Sequence, residues 1–193
     1  RQRPRRWLTS RRRLGVFGIV LIVIGALVVG WLAWQFVISG LVAHVRYASQ
    51  VRELRTQWET AEPPTLAQSP PAGQAYAILR VPHWGELEIP IIAGTAPESL
   101  ARGVGAYPSS TPPGELGNLA IAGYRTTHGA PFSKLLELDA GAEVVIETHS
   151  AVYVYVLDVP ARDITVRDTD TWVLDPVPGT DDEPTRPTLT LTT

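Results

Sequence analysis

The 193-residue sequence contains no cysteine and no methionine. Without cysteine the chain has no disulfide, no thiolate zinc site and no thiol nucleophile of its own. Methionine is missing even at position 1, so the chain is expected to be a piece of a longer reading frame, cut at its N-terminal end at least. Lysine is nearly absent, Lys134 standing alone against 16 arginines, and no acidic residue precedes Glu53. No G-x-S-x-G elbow, Walker loop, GxGxxG, HExxH or EF-hand pattern occurs, which removes the sequence signatures of several large enzyme and metal-binding classes. No internal repeat is visible.

What is present is unevenly spread. A chain with 45% hydrophobic and 19% charged residues has room for one modest globular domain plus an anchor or tail, and is too apolar to be wholly disordered. The formal net charge of −2 hides an asymmetry: Arg1, Arg3, Arg5, Arg6, Arg11, Arg12 and Arg13 crowd the N-terminus, whereas 19 acids face 10 bases after position 40. The basic end abuts an apolar run and the remainder is acidic, so no nucleic-acid partner is expected.

From Leu14 to Trp34, 21 residues carry no charged or strongly polar side chain, a length of roughly 32 Å as a helix and about one bilayer core. A buried soluble helix of that length would keep a polar stripe. The reading is a cytoplasmic basic segment at 1–13 and a transmembrane helix at 14–39, with the N-terminus inside and the rest of the chain outside the cell. Trp31, Trp34 and Phe36 would sit at the outer interface. A cleaved signal peptide is the rival, with Leu41-Val42-Ala43 as a weak cleavage site, but the apolar run exceeds a signal core.

Residues 41–60 place apolar side chains at Leu41, Val42, Val45, Val51, Leu54 and Trp58, which predicts a juxtamembrane helix continuing the anchor. The stretch AEPPTLAQSPPAGQ (61–74) holds four prolines and reads as an extended tether, so that residues 40–75 link anchor to domain. The domain then occupies 76–193. Strands are expected at 75–82, 87–94, 118–124, 142–149, 151–159 and 188–193. In 151–157 both faces are apolar, which suggests a strand in mid-sheet or mid-wall. Helices are expected at 97–104 and 131–138, the latter with Pro131 in its first turn. Short strands broken by Gly and Pro turns indicate a mainly β barrel or sandwich.

Nucleophile candidates are serines, threonines and Lys134. Of the histidines, His44 is expected to be solvated at the membrane surface, His83 to serve a turn, and His149 to end a strand in the open. His128 lies in a Gly-flanked loop near Arg125. The acids Asp168, Asp170, Asp175, Asp181, Asp182 and Glu183 match no calcium-loop spacing and read as a solvated acidic loop.

The stretch GVGAYPSSTPPGELGNLAIAGYRTTHGAPFSKLLELDAGAEVVIET (103–148), with AILRVPHWGELEIPII (77–92), DTWVLDPVPGT (170–180) and TLTLTT (188–193), resembles the sortases, specifically the class E type of high-GC Gram-positive bacteria. The excess of arginine over lysine agrees with a high-GC source. The resemblance implies a closed eight-stranded β-barrel and a membrane-anchored cysteine transpeptidase. Such an enzyme cleaves LAxTG or LPxTG sorting signals through an acyl-enzyme and joins surface proteins to an amine of the cell-wall precursor or a pilin. No metal or organic cofactor is implied.

In the family the nucleophilic Cys directly follows a TLTT-like strand end. Here Thr193 ends that strand, so the Cys is expected at the next position, with the oxyanion-stabilising Arg and the closing strand after it, and the sequence is expected to stop short of them. The family's catalytic His follows Ala-Gly in the pattern AGHRTTYG; this chain reads AGYRTTHG (122–129), with Tyr124 at the His position and His128 where an aromatic is usual. A phenol is a poor proton shuttle at neutral pH, so His128 is the candidate substitute. Ala106 in GAYP stands where relatives often carry His. The alternative implied is a catalytically inactive sortase-like module that binds sorting signals or partner proteins; a purely structural surface β domain is a third.

Overall fold

The computed structural model describes residues 8–60, 70–167 and 169–193, with side chains at 8–16 and 32–41 outside that description. Residues 1–7, tether residues 61–69 and Asp168 therefore lie outside the described residues, as do the side chains of Arg11, Arg12 and Arg13. The chain divides into two units, Arg1–Ser39 and Gly40–Thr193.

Helix α1 (Leu8–Thr60) is 53 residues long. No proline interrupts it, and it ends just before Pro63 and Pro64, which lack the N–H a continuing helix needs. In the first unit large apolar side chains face outward, among them Phe17 (71% exposed), Ile22 (72%) and Leu27 (67%). Among the described residues no helix is long and apolar enough to cross a membrane. The side chains described in this stretch run from Phe17 to Trp31, roughly 22 Å of helix, so the flanks of the expected 14–39 span lie outside the description.

Among the described residues of the second unit seven strands form one sheet: β1 (Ala75–Arg80), β2 (Glu88–Ala93), β3 (Val104–Ala106), β4 (Gly117–Ala122), β5 (Glu143–Thr148), β6 (Val152–Val156) and β7 (Pro187–Thr192). Their order is β6-β5-β1-β2-β3-β4-β7. The pairs β2–β3 and β4–β7 are parallel and the others antiparallel. Leu79, Ile89, Ile91, Leu119, Ile121, Phe132, Leu138 and Ile146 fill the core on one face.

Six of the seven strands fall where alternation placed them. The short β3 replaces the end of the expected 97–104 helix, which shrinks to α2 (Pro97–Leu100). Glycines explain the change: a Cβ on Gly103 would collide with the Pro90 carbonyl, and one on Gly105 would lie 2.5 Å from the Gly94 carbonyl oxygen. Only glycine lets these backbones approach so closely. The expected helix at 131–138 is a single 3-10 turn, Leu135–Glu137, and the burial of Phe132, Leu135 and Leu138 follows a spacing of three. Strand β6 is not in mid-sheet but at its end, with Val152, Val154 and Val156 56–58% exposed. Its β-branched residues favour a strand whether or not they are covered.

The second half of α1 belongs to this packed unit. Ala43, Tyr47, Val51 and Leu54 are buried at spacings of four, four and three, one stripe of a helix, whereas Val42 and Val45 face outward. Val51 and Leu54 pack on Ile78, so β1 is covered on both faces and reads as a continuous apolar run. His149 is half-buried rather than open, its Nε2 donating to the Trp58 carbonyl at 2.8 Å. Arg55 reaches across the sheet, donating to both carboxylate oxygens of Glu88 at 2.8 and 2.7 Å and to Glu147 at 2.9 Å. Arg80 adds a 3.5 Å contact to Glu147.

Burial of Val51 and Leu54 is worth about 2 kcal/mol each. The Arg55 fork is 38% exposed and contributes about 1 kcal/mol, so apolar contact holds the helix and the ion pair fixes its register. Arg55 holds the Glu88 carboxyl below its ordinary range. That stability is present above the unfolded carboxyl's range and is lost as pH falls below it and through the lower folded value. The urea midpoint is therefore expected to drop between about pH 5 and pH 3, and Arg55→Gln to remove much of that drop while lowering stability at pH 7 by about 1 kcal/mol. Denaturation curves of both proteins across this pH range check it.

Candidate active site

Strands β4 and β7 pair in parallel from Gly117↔Pro187 to Ala122↔Thr192. The Gly123 N–H extends the ladder, donating to the Thr192 carbonyl at 3.0 Å. Both chains thus leave the sheet at the same end, which brings Tyr124 and Thr193 to one side although 69 positions separate them.

The turn out of β4 is tight. A Cβ on Gly123 would sit 2.7 Å from the Phe132 ring, and the Phe132 N–H donates back to the Tyr124 carbonyl at 3.1 Å. His128, Gly129 and Ala130 follow one another in the left-handed region, with φ of 52°, 84° and 48°. For His and Ala that conformation costs about 1 kcal/mol each. Its effect is to fold the His128 ring back onto Tyr124, with ring centroids 4.6 Å apart and planes 24° from parallel. His128 Nδ1 lies 3.1 Å from the Thr127 hydroxyl.

Arg125 and Thr193 line a cavity of about 1170 Å³ that opens between β6 and β7, walled by Tyr155, Leu157, Leu189 and Leu191. Burial raises the Tyr155 phenol above its ordinary range, against the lowering effect of the hydrogen bond it accepts from the Gly114 N–H at 2.9 Å. It remains a neutral wall group at physiological pH.

The structure therefore brings together Tyr124 and His128, with Thr193 on the neighbouring strand. It does not bring in the other candidates. Ala106 is buried in β3 opposite Ile121. Lys134, His44 and His83 are exposed. Among the described residues no cluster of three His, Asp or Glu side chains converges as a metal site; Asp170 instead accepts from the Arg167 N–H at 2.8 Å.

Two residues escaped the sequence reading. Asn118 is 2% exposed; its amide donates to the Val173 and Asp175 carbonyls at 2.9 and 3.1 Å, and its oxygen accepts from Thr190 at 2.9 Å. It ties β7 and the 3-10 turn Thr171–Leu174 to β4. A lone amide inside an apolar strand was the signal for it. Tyr47, whose hydroxyl donates to the His128 carbonyl at 2.7 Å, gave no signal, because it stands 81 positions away in the sequence.

A mainly β sheet of this order, with a parallel β4–β7 pair presenting a Tyr–His loop beside the end of a TLTLTT strand, defines the class of protein. Residues 79–193 match the Sortase domain model. The chain is 30% identical over 172 residues to Sortase SrtE1 of Streptomyces coelicolor, covering 83% of this chain and 46% of that protein. Among solved structures it is similar to sortase E from Streptomyces avermitilis (35% identity, TM-score 0.55, covering 62% of this chain and 80% of that one). It is also similar to Sortase E1 from Streptomyces coelicolor with a tripeptide in the active site (30% identity, TM-score 0.51, covering 66% and 82%). The chain belongs to the sortase family, and its likeness is to class E. It spans about half the length of SrtE1.

Asn118→Ala would leave two carbonyls and the Thr190 hydroxyl without their partner, an expected loss of about 2 kcal/mol. Faster amide exchange confined to residues 171–175 and β7, together with a lower urea midpoint, is the expected result.

Proposed function

We propose that this chain is a membrane-anchored class E sortase that takes LAxTG- or LPxTG-type sorting signals, with the position after Thr193 as that of the cysteine nucleophile. The observation that carries the reading is the parallel β4–β7 register, which sets the end of TLTLTT beside the Tyr124–His128 loop. In the proposed reaction the thiolate attacks the threonine carbonyl of the signal and expels the glycine amine, which must be protonated as it leaves. An amine of a cell-wall precursor or pilin then displaces the thiolate. An imidazole exchanges protons near neutral pH and a phenol does not, so His128, stacked on Tyr124, is assigned the proton-handling role. The outward apolar side chains between Phe17 and Trp31 support a span at 14–39, with the arginine-rich end in the cytoplasm and the β domain outside.

A second reading, an inactive module that holds sorting signals without cleaving them, is favoured by one feature: Tyr124 stands where the sortase pattern that the sequence resembles has its catalytic His.

The experiment is to read the source gene past the codon for Thr193 and to assay its full product with an LAxTG peptide and hydroxylamine. Cysteine followed by arginine, release of the Gly-containing fragment, and at least a hundredfold loss in His128→Ala are the expected outcomes. Unchanged rates in His128→Ala would remove it from the mechanism. Peptide binding with no cleavage by the parent protein would favour the second reading.

A further inference from the structure

The segment His128–Ala130 holds three successive left-handed residues, two of them with side chains. Within the loop, the Ala130 N–H donates to the Thr127 carbonyl at 2.8 Å. The His128 carbonyl is bound from outside, by the Tyr47 hydroxyl of α1 at 2.7 Å. Tyr47 is 1% exposed, and burial pushes its phenol up to about 12, so it stays a donor throughout the physiological range. Gly129 rests on the same helix: a Cβ there would collide with Ala43 and lie 3.0 Å from the Tyr47 oxygen. Helix α1 is thus shaped to one backbone conformation of this loop. In that conformation the His128 ring covers Tyr124.

We propose that Tyr47 is a positioning residue: by binding the His128 carbonyl it holds residues 128–130 left-handed and so places the His128 ring on Tyr124. The inference deepens the proposed function, since it takes loop 124–130 as the site loop, but the contact itself does not depend on chemistry. Without the hydroxyl, the carbonyl turns to water, the loop samples ordinary right-handed and extended conformations, and the imidazole leaves Tyr124.

The test compares the full chain with Tyr47→Phe in detergent micelles, by amide exchange and by NMR of the His128 ring. Tyr47→Phe keeps the buried ring and removes one oxygen. The expected result is exchange of the Ala130 amide at least about tenfold faster, with the His128 ring protons losing the upfield shift that Tyr124 imposes, while the β1 amides of Ile78 and Leu79 keep their protection. His128 signals and Ala130 exchange within about twofold of the parent would overturn the proposal, because the loop then holds itself. Equal loss of protection in β1 would also overturn it, since the hydroxyl would then serve the whole fold. Neither signal needs a peptide to bind or react. A protein that fails to take sorting signals but shows the Tyr47→Phe change refutes the proposed function and keeps this inference, and the converse result separates them the other way.

Discussion

Parallel pairing of β4 with β7 is the constraint from which the site follows. Parallel neighbours cannot be joined by a tight turn, so between Ala122 and Pro187 the chain must travel away from β4, add β5 and β6 at the far end of the sheet, and come back. That excursion supplies the site loop, β5, β6 and the wall of the cavity. Because the two strands point the same way, their C-terminal ends meet, and chemistry can be divided between residues far apart in sequence. Asn118 stands near the start of the pair and fixes it to the Thr171–Leu174 turn, so the ladder is braced at the end away from the site.

Helix α1 answers to two different surroundings along one continuous element. Between Phe17 and Trp31 the large apolar side chains face outward; from Ala43 to Leu54 a narrow stripe is covered, and the exposed positions are polar apart from residues such as Val45. The change is written in the sequence as the loss of uniform hydropathy and the arrival of Arg46, Arg52, Glu53 and Arg55. Arg55 then meets two carboxylates from different strands, a geometry suited to a planar fork and poorly served by lysine.

How far the sequence was legible varied with the range of the interaction involved. Strands were readable because alternation is local, and residues such as Ile89 and Ile91 declare their face directly. β3 was missed because its three residues sit where glycines, not side chains, set the approach, and β6 was misplaced because two apolar faces do not reveal how many neighbours a strand has. At the site, Tyr124 and His128 stood out through their place in a family pattern. Their stacking was not legible, since it depends on left-handed φ at His128 and Ala130, which no residue type there announces, and on a hydroxyl 81 positions upstream.

The valines of β6 have an implication for what else the sheet can pair with. Val152, Val154 and Val156 lie on the last strand of the sheet, and the strand carries no lysine, proline or charged residue within Val152–Val156. Edge strands that stay monomeric usually carry one of those. Among the described residues the outer edge of β6 has no strand partner, which leaves it a template for one further strand, such as the closing strand that the sortase resemblance implies after Thr193.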